Sequence, residues 1–285
     1  MKSMMKRNTF REIKKSFGRY FAILAIIALG VAFFSGLKIT QSVMVHSADV
    51  YLKDLQFYDY RLVSTLGFTE ENVEALAEKE DVRAAEGAIS AEVLYKDAGE
   101  NERVIKMHSI TEKVNKLKLV AGEMPQSADE CVVDSVLFSE DAIGSKLVLS
   151  ENNTTDDLDK FAYKEYTITG LVQSPCYIQF ERGNTSIGNG RISGFAYILK
   201  DGFAVDYDTE IYIKFDEDYD IYSDEYDSYM DAKEADWEAY TKEQADIRYE
   251  KIVKDAQDEL DEKKEELEEK RAEAEAELEL SLIHI

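Results

Sequence analysis

Cysteine, proline and histidine are scarce in this sequence of 285 residues, and each shortage excludes a class of protein. The two cysteines, Cys131 and Cys176, allow at most one disulfide, which excludes a disulfide scaffold or a CxxC metal knuckle. Because the sequence has only two prolines and no Ser/Gly-rich tract, it predicts no flexible linker. The three histidines, His46, His108 and His284, form no paired-histidine spacing. We therefore expect no metal site, cofactor site or catalytic residue, and the chain is predicted not to be an enzyme.

Positive charge is in the minority, because 34 lysine and arginine residues stand against 59 aspartate and glutamate residues, a net charge of −25. The first 19 residues nevertheless carry seven bases and one acid, whereas acids dominate after Phe215. Such a division is typical of a chain that meets two unlike sides of a membrane. The acidic bulk would repel phosphate backbones, so no nucleic-acid partner is expected.

An uncharged apolar run covers residues 20–37. As a helix it would rise about 1.5 Å per residue and nearly span a hydrocarbon core of about 30 Å. The basic flank predicts a single-pass protein of the cell membrane with a cytoplasmic N-terminus and an extracytoplasmic bulk. A cleaved signal peptide is the alternative, but the run exceeds the usual length of about 7 to 15 residues and no A-x-A site follows. The residues predicted to span the lipid bilayer include Tyr20, Leu24, Ile27, Gly30, Phe34 and Leu37.

The remaining segments are separated by changes of pattern. Residues 1–19 are predicted as a basic amphipathic segment on the cytoplasmic membrane face, and residues 38–57 as a helical connector. Alternating polar and apolar residues between 58 and 215 predict half-buried strands, including one strand over 81–96, around a short helix opened by Thr69. We therefore expect an α+β extracytoplasmic domain that builds its own core.

Glycines cluster between positions 183 and 194, in a loop whose sequence matches neither of two nucleotide-binding motifs. A Walker A loop requires Lys followed by Ser or Thr after its second glycine, and here Asn189 follows Gly188. The dinucleotide fingerprint requires a following helix, whereas the residues after this loop are strand-like. The loop is predicted to reverse the chain or to pack against a partner. The glycines proposed as partner contacts are Gly183, Gly188 and Gly190.

Residues 216–229 are predicted as an acidic connector. Asp216, Asp218 and Asp220 match the first ligand positions of a calcium loop, but Ile221 occupies the position that requires glycine. Asp227 also stands where a bidentate glutamate is expected. A solvated acidic segment is the favoured interpretation.

Residues 230–285 contain neither glycine nor proline and are predicted as one long helix. Its apolar positions follow heptads with a stutter and a partly polar seam, which indicates a marginal acidic coiled coil that needs a partner. An isolated charged helix is the open alternative, because the seam is thin. We expect the chain to be truncated here, with residues 281–285 not native. The predicted partner contacts are Leu260, Leu267, Ala274 and Leu278.

Four segments in this order resemble the FtsX-like permease family of ABC transporters, which includes MacB-like permeases. They cover residues 10–38 around the apolar run, 62–76 (LVSTLGFTEENVEAL), 119–134 (LVAGEMPQSADECVVD) and 170–198 with the glycine-rich loop. The resemblance implies a permease subunit whose first helix leads into a large outer domain. It also implies that ATP binds to a separate cytoplasmic ABC-type ATPase, whose cycle the subunit couples to export or mechanotransmission.

The family has three further membrane helices, so the chain is interpreted as the N-terminal portion of a longer permease. The partner of the long helix would then be the missing remainder of that permease. A single-pass membrane scaffold that recruits or regulates a cell-envelope partner through its coiled coil is the alternative function.

Overall fold

The computed structural model describes residues 2–97 and 99–284, with side chains placed for 4–97, 99–272 and 274. It confirms the predicted α+β architecture, with one N-terminal apolar helix, a sheet-rich domain and a long C-terminal helix. The chain divides into two compact units. The first contains residues up to Asp54 together with Asp220–Tyr222, and the second contains Leu55–Tyr219 and the chain from Ser223 onward.

The first unit is helical. Helix α1 covers Lys2–Lys15, and helix α2 covers Phe17–Asp54 without interruption. The apolar run and the predicted helical connector are therefore parts of one helix. This helix ends at Asp54, whereas the connector was expected to extend to residue 57. At this end, Lys53 binds Asp49 and Asp220 at 2.9 and 2.6 Å, and the Ile221 amide donates to Asp49 at 3.0 Å.

Over its described residues, the second unit contains ten strands and three α-helices, with short 3-10 turns at Glu140–Ala142, Pro175–Tyr177 and Lys200–Gly202. The strands are β1 (Tyr60–Phe68), β2 (Val82–Ala88), β3 (Ser90–Lys96), β4 (Glu102–Ser109), β5 (Lys118–Gly122), β6 (Glu130–Asp134), β7 (Lys146–Leu149), β8 (Glu165–Gln173), β9 (Ile192–Ile198) and β10 (Asp208–Phe215). The helices are α3 (Glu70–Ala77), α4 (Thr155–Leu158) and α5 (Asp224–His284).

These strands form two sheets. The smaller has the order β1-β10-β2 and is antiparallel throughout. The larger has the order β5-β8-β6-β9-β4-β3-β7, and because β7 also pairs with β8 it closes on itself. Only its β4–β9 and β6–β8 pairs are parallel. The main core fills this closed sheet with fully buried side chains such as Tyr95, Met107, Tyr166 and Ile198.

The single strand expected over 81–96 is wrong. The chain leaves the small sheet at Ala88 and enters the large sheet at Ser90, with Ile89 buried between them. Two side chains replace strand partners at this corner: Ser109 Oγ accepts from the Ile89 amide at 2.9 Å, and Thr209 Oγ1 accepts from the Ser90 amide at 2.8 Å. Side-chain acceptors thus satisfy the backbone where the strand changes sheets.

The long helix also begins earlier than expected, at Asp224 rather than residue 230, so its first turns replace part of the predicted acidic connector. Those turns cover the small sheet instead of leaving the domain. Trp237 is 4% exposed, and its ring lies 5.8 Å from that of Tyr60 and 5.4 Å from that of Phe215. Beyond Ile252 the described side chains of α5 are exposed. Its coiled-coil character stays a prediction.

Trp237 provides a test of this packing. We expect Trp237→Ala to lower the free energy of unfolding by about 3–5 kcal/mol, because it empties a buried aromatic site. The matched control is Tyr249→Ala on the same helix, where the ring is 60% exposed and the change should stay within about 0.5 kcal/mol. Urea unfolding in detergent micelles, followed by circular dichroism, measures both. Equal losses in the two variants would contradict the docking of α5.

Candidate functional site

The glycine-rich loop joins β8 to β9 and reverses the chain. Its ends are tied where the Ile192 amide donates to the Gly183 carbonyl at 3.0 Å, and its turn is closed where the Thr185 amide donates to the Gly190 carbonyl at 3.2 Å. Gly188 has a φ of +57°, and an added Cβ would meet Val104 at 2.8 Å. The backbone path and this close packing explain the glycine without a ligand. The role of Gly183, Gly188 and Gly190 as partner contacts stays a prediction.

A buried ion pair holds the start of this loop. The Arg182 guanidinium donates to both carboxylate oxygens of Asp134, from Nε at 2.7 Å and from Nη2 at 3.0 Å. The same guanidinium donates to the Tyr177 carbonyl at 3.0 Å and to the Gln179 carbonyl. Asp134 ends strand β6 in the closed sheet, so the bidentate pair fixes the loop to a rigid element. Sequence reasoning missed this pair, whose members are 48 residues apart.

The anchored loop presents apolar side chains to solvent. Phe180 is 88% exposed, and Ile178 is also exposed. Val136 is exposed too, two residues after the aspartate that binds Arg182, and its amide donates to that aspartate at 2.9 Å. We call Ile178 and Phe180, which lie on the anchored loop, the apolar tip. Exposed apolar side chains on a fixed loop are typical of a protein contact surface.

A second polar cluster lies behind the loop, around Glu210 of β10. This carboxylate is 2% exposed and accepts hydrogen bonds from Ser90 Oγ and Tyr212 Oη, both at 2.5 Å. Arg61 Nε lies 3.5 Å from it and Lys106 Nζ 4.0 Å from it. Burial by itself would raise the pKa of Glu210, but the two hydroxyl donors and nearby positive charge hold that pKa below its usual value.

His108 is buried beside this cluster. Its Nε2 is 2.6 Å from Tyr177 Oη, and its ring stacks on that of Tyr197 with centroids 5.0 Å apart. The Tyr197 hydroxyl is in turn 2.8 Å from Ser174 Oγ. Burial lowers the pKa of His108 to about 3, so the imidazole is neutral at physiological pH. The histidine therefore joins β4 to the base of the glycine-rich loop as a neutral hydrogen-bonding group.

Both cysteines are free thiols. Burial raises the pKa of Cys176 to about 11 and raises the pKa of Cys131 as well. Because the thiolate is the nucleophile, these surroundings suppress cysteine chemistry near neutral pH.

The acidic segment after β10 is engaged by basic side chains. Arg83 binds both carboxylate oxygens of Asp218 at 3.0 Å and donates to the Asp216 carbonyl. In the first unit, Asp220 binds Lys53. Across the residues that the structure describes, no group of three His, Cys, Asp or Glu side chains could hold a metal ion. The segment is thus partly ion-paired rather than simply solvated.

The other predicted site residues lie on helices, and those whose side chains are described are exposed. Leu267 is 68% exposed on α5, and Leu260 and Ala274 are exposed as well. The side chain of Leu278 and the end of segment 281–285 lie outside the described residues. The predicted membrane-spanning residues Tyr20, Leu24, Ile27, Gly30, Phe34 and Leu37 all present exposed side chains or backbone on α2.

Solved structures similar to this chain include domains of ABC-type transporters. The extracellular domain of the noncanonic ABC-type transporter YknZ from Gram-positive bacteria is 12% identical with a TM-score of 0.35, over 54% of this chain and 76% of that chain. The periplasmic region of MacB from Actinobacillus actinomycetemcomitans is 13% identical with a TM-score of 0.35, over 56% and 69%. A permease domain from Porphyromonas gingivalis is 13% identical with a TM-score of 0.32, over 53% and 64%.

No protein-family model matches the sequence, and no curated protein matches it. The structure neighbours are extracellular, periplasmic and permease domains.

His108 makes the stability of the second unit depend on pH. The unfolded histidine binds a proton near pH 6.5 and the folded one only near pH 3, so lowering the pH between these values favours unfolding. We expect the free energy of unfolding to fall by up to about 1.4 kcal/mol per pH unit in this window because of this one group. The pKa of Glu210 is lower in the folded protein than its ordinary value of 4.5. Protonation of this carboxylate therefore reduces the free energy of unfolding further, but only when the pH falls below 4.5.

Urea titrations between pH 7.5 and 5 measure this slope. His108→Gln should flatten it, although the variant is less stable at pH 7.5 because it loses the stacked ring. His46→Gln, at an exposed position of α2, is the matched control and should keep the wild-type slope. An unchanged slope in His108→Gln would show that the pH dependence has another source.

Proposed function

We propose that this chain is a membrane-anchored subunit of an ABC-type permease, with its second unit outside the cytoplasm and ATP hydrolysed by a separate cytoplasmic subunit. The observation that carries the proposal is the exposed apolar surface of α2. Among the described residues, this is the one helix long and apolar enough to cross a membrane, and none of its most apolar window is buried. A core helix of a soluble protein would bury those side chains.

Charge supports the orientation. Helix α1 and the start of α2 carry seven bases against one acid, and basic residues flanking a span favour the cytoplasmic side. The same bases can bind anionic lipid head groups of the inner leaflet. The acidic second unit would then lie on the opposite side of the bilayer.

The continuity of α2 supports a mechanical role. The helix has 38 residues and would extend about 57 Å, longer than the hydrocarbon core of about 30 Å. A single helix of this length can transmit a displacement from the cytoplasmic face to the outer side without an intervening linker. In this proposal, nucleotide-driven movement at the inner face reaches the outer unit through α2, for export or mechanotransmission.

The apolar tip is the proposed contact for an extracytoplasmic partner. Its side chains lie on a loop fixed by the Arg182–Asp134 pair, so a partner would meet a surface that is already ordered. Preorganisation lowers the entropic cost of binding. The chain itself performs no chemistry in this account.

Photo-crosslinking in native membranes tests the coupling to an ATPase. The protein, expressed from its own gene, carries a photo-reactive amino acid in place of Asn8 on α1, and the matched control carries it in place of Glu151 on the second unit. We expect mass spectrometry to identify an ABC-type ATPase with a Walker A motif in the Asn8 adduct and not in the Glu151 adduct. A cell-envelope enzyme in the Glu151 adduct, with no ATPase at Asn8, would favour the single-pass scaffold instead.

A further inference from the structure

A groove lies in the second unit between strand β1 and helix α5. Its cavity is about 250 Å³. The floor is formed by Asn72 and Leu76 of α3, and one wall is the strand from Tyr60 to Phe68. The other wall is a single face of α5 whose residues recur at helical spacing. These are Tyr240, Thr241, Gln244, Ala245 and Arg248.

The strand that forms one wall has a free edge. β1 pairs with β10 on one side, and no described strand pairs with it on the other. Its register with β10 also breaks between Val63 and Phe68. Backbone donors and acceptors along a free edge can pair with an added extended segment. Val63 and Leu66 are exposed on this strand and offer apolar contacts to such a segment.

The charge of the groove is opposite to that of the chain. None of its described lining residues is acidic, although the chain has 59 acids, and two of the lining residues are arginines. Arg61 is already paired with Glu210. Arg248 is half-buried, and its Nε is fully buried with no hydrogen-bond partner among the described residues. A buried guanidinium donor without a partner is costly unless an anion binds it.

We propose that this groove binds an extended peptide segment carrying a carboxylate, added as a strand to the free edge of β1. The peptide backbone pairs with β1, its side chains pack beside Val63 and Leu66, and its carboxylate accepts from Arg248. The free strand edge favours a peptide over a small apolar acid, because a small acid would leave the backbone groups of β1 unpaired. This site is distinct from the apolar tip and does not depend on the ATPase.

The test uses the full chain in lipid nanodiscs and a library of random octapeptides with free termini. Peptides that are enriched are synthesised with a dye, and their affinities are measured by fluorescence anisotropy. We expect Arg248→Gln to weaken binding by about tenfold or more, since a charge-assisted hydrogen bond is lost. Arg248→Lys should recover part of the affinity. The matched control, Lys242→Gln, removes one positive charge from the same helix outside the groove and should bind as the wild type does.

Peptide variants separate strand addition from simple charge attraction. Methylation of the backbone nitrogens at odd positions and at even positions gives two peptides with the same charge. Only one set of nitrogens faces a neighbouring strand, so we expect one of the two peptides to lose binding and the other to keep it. Amidation of the C-terminus and Glu→Gln or Asp→Asn changes in the peptide identify which carboxylate binds Arg248.

Three results would overturn the proposal. The first is a library from which no peptide binds the wild type better than Arg248→Gln. The second is equal binding of the two methylated peptides. The third is displacement of the peptide by dodecanoate at lower concentration than the peptide itself requires, which would make the groove a site for an apolar acid. Circular dichroism of each variant establishes that it is folded.

Discussion

Helix α2 carries eighteen consecutive uncharged residues, almost all of them exposed, and the rest of the account depends on a bilayer covering them. Water around the run 20–37 of α2 would leave large side chains such as Phe33, Phe34 and Leu37 solvated. In lipid the same surface is favourable, and the helix satisfies its own backbone hydrogen bonds. In the proposed orientation, the basic residues before the run and the acidic unit after it lie on opposite sides of the membrane.

The second unit has hydrophobic cores of its own. The closed sheet surrounds one core, and the small sheet is covered by α3 and by the first turns of α5. Asp59 joins the small sheet to α5, because its carboxylate binds Lys214 at 3.0 Å and the Phe215 amide at 2.9 Å in β10, and Tyr226 Oη at 3.3 Å in α5. The beginning of α5 is thereby part of the domain, whereas its described side chains beyond Ile252 are exposed.

The sequence predicted those helices and strands that depend on residues close together along the chain. The charge asymmetry and the apolar run predicted α2, alternation predicted strands such as β8 and β10, and the lack of glycine and proline predicted α5. The break at Ile89 was missed because its cause, the hydroxyls of Ser109 and Thr209, lies far away in sequence. The early start of α5 is not apparent from the sequence, because its cause is also distant: Tyr226 donates to Asp59, and Tyr229 packs on the core of the small sheet.

The candidate sites show the same limit. The glycine-rich loop was visible in the sequence, but its anchor at Arg182 and Asp134 was not, since nothing local distinguishes either residue. Arg248 lies in an acidic helix, and the sequence alone indicates a charge that is exposed to solvent. Only the packing of α5 against β1 makes it a buried donor without a partner. Sites formed by residues that are distant in sequence can be identified only from the folded structure.

The central claim is that α2 crosses a membrane with the second unit outside the cytoplasm, and cysteine labelling in intact cells tests it most directly. Cys131 and Cys176 are replaced by alanine, and a single cysteine is introduced as Asn8→Cys or Glu151→Cys, both at exposed positions. The account predicts that a membrane-impermeant maleimide labels the Glu151→Cys protein in intact cells and the Asn8→Cys protein only after permeabilisation. Labelling of Asn8→Cys in intact cells, or protection of Glu151→Cys until the cells are opened, would contradict the account.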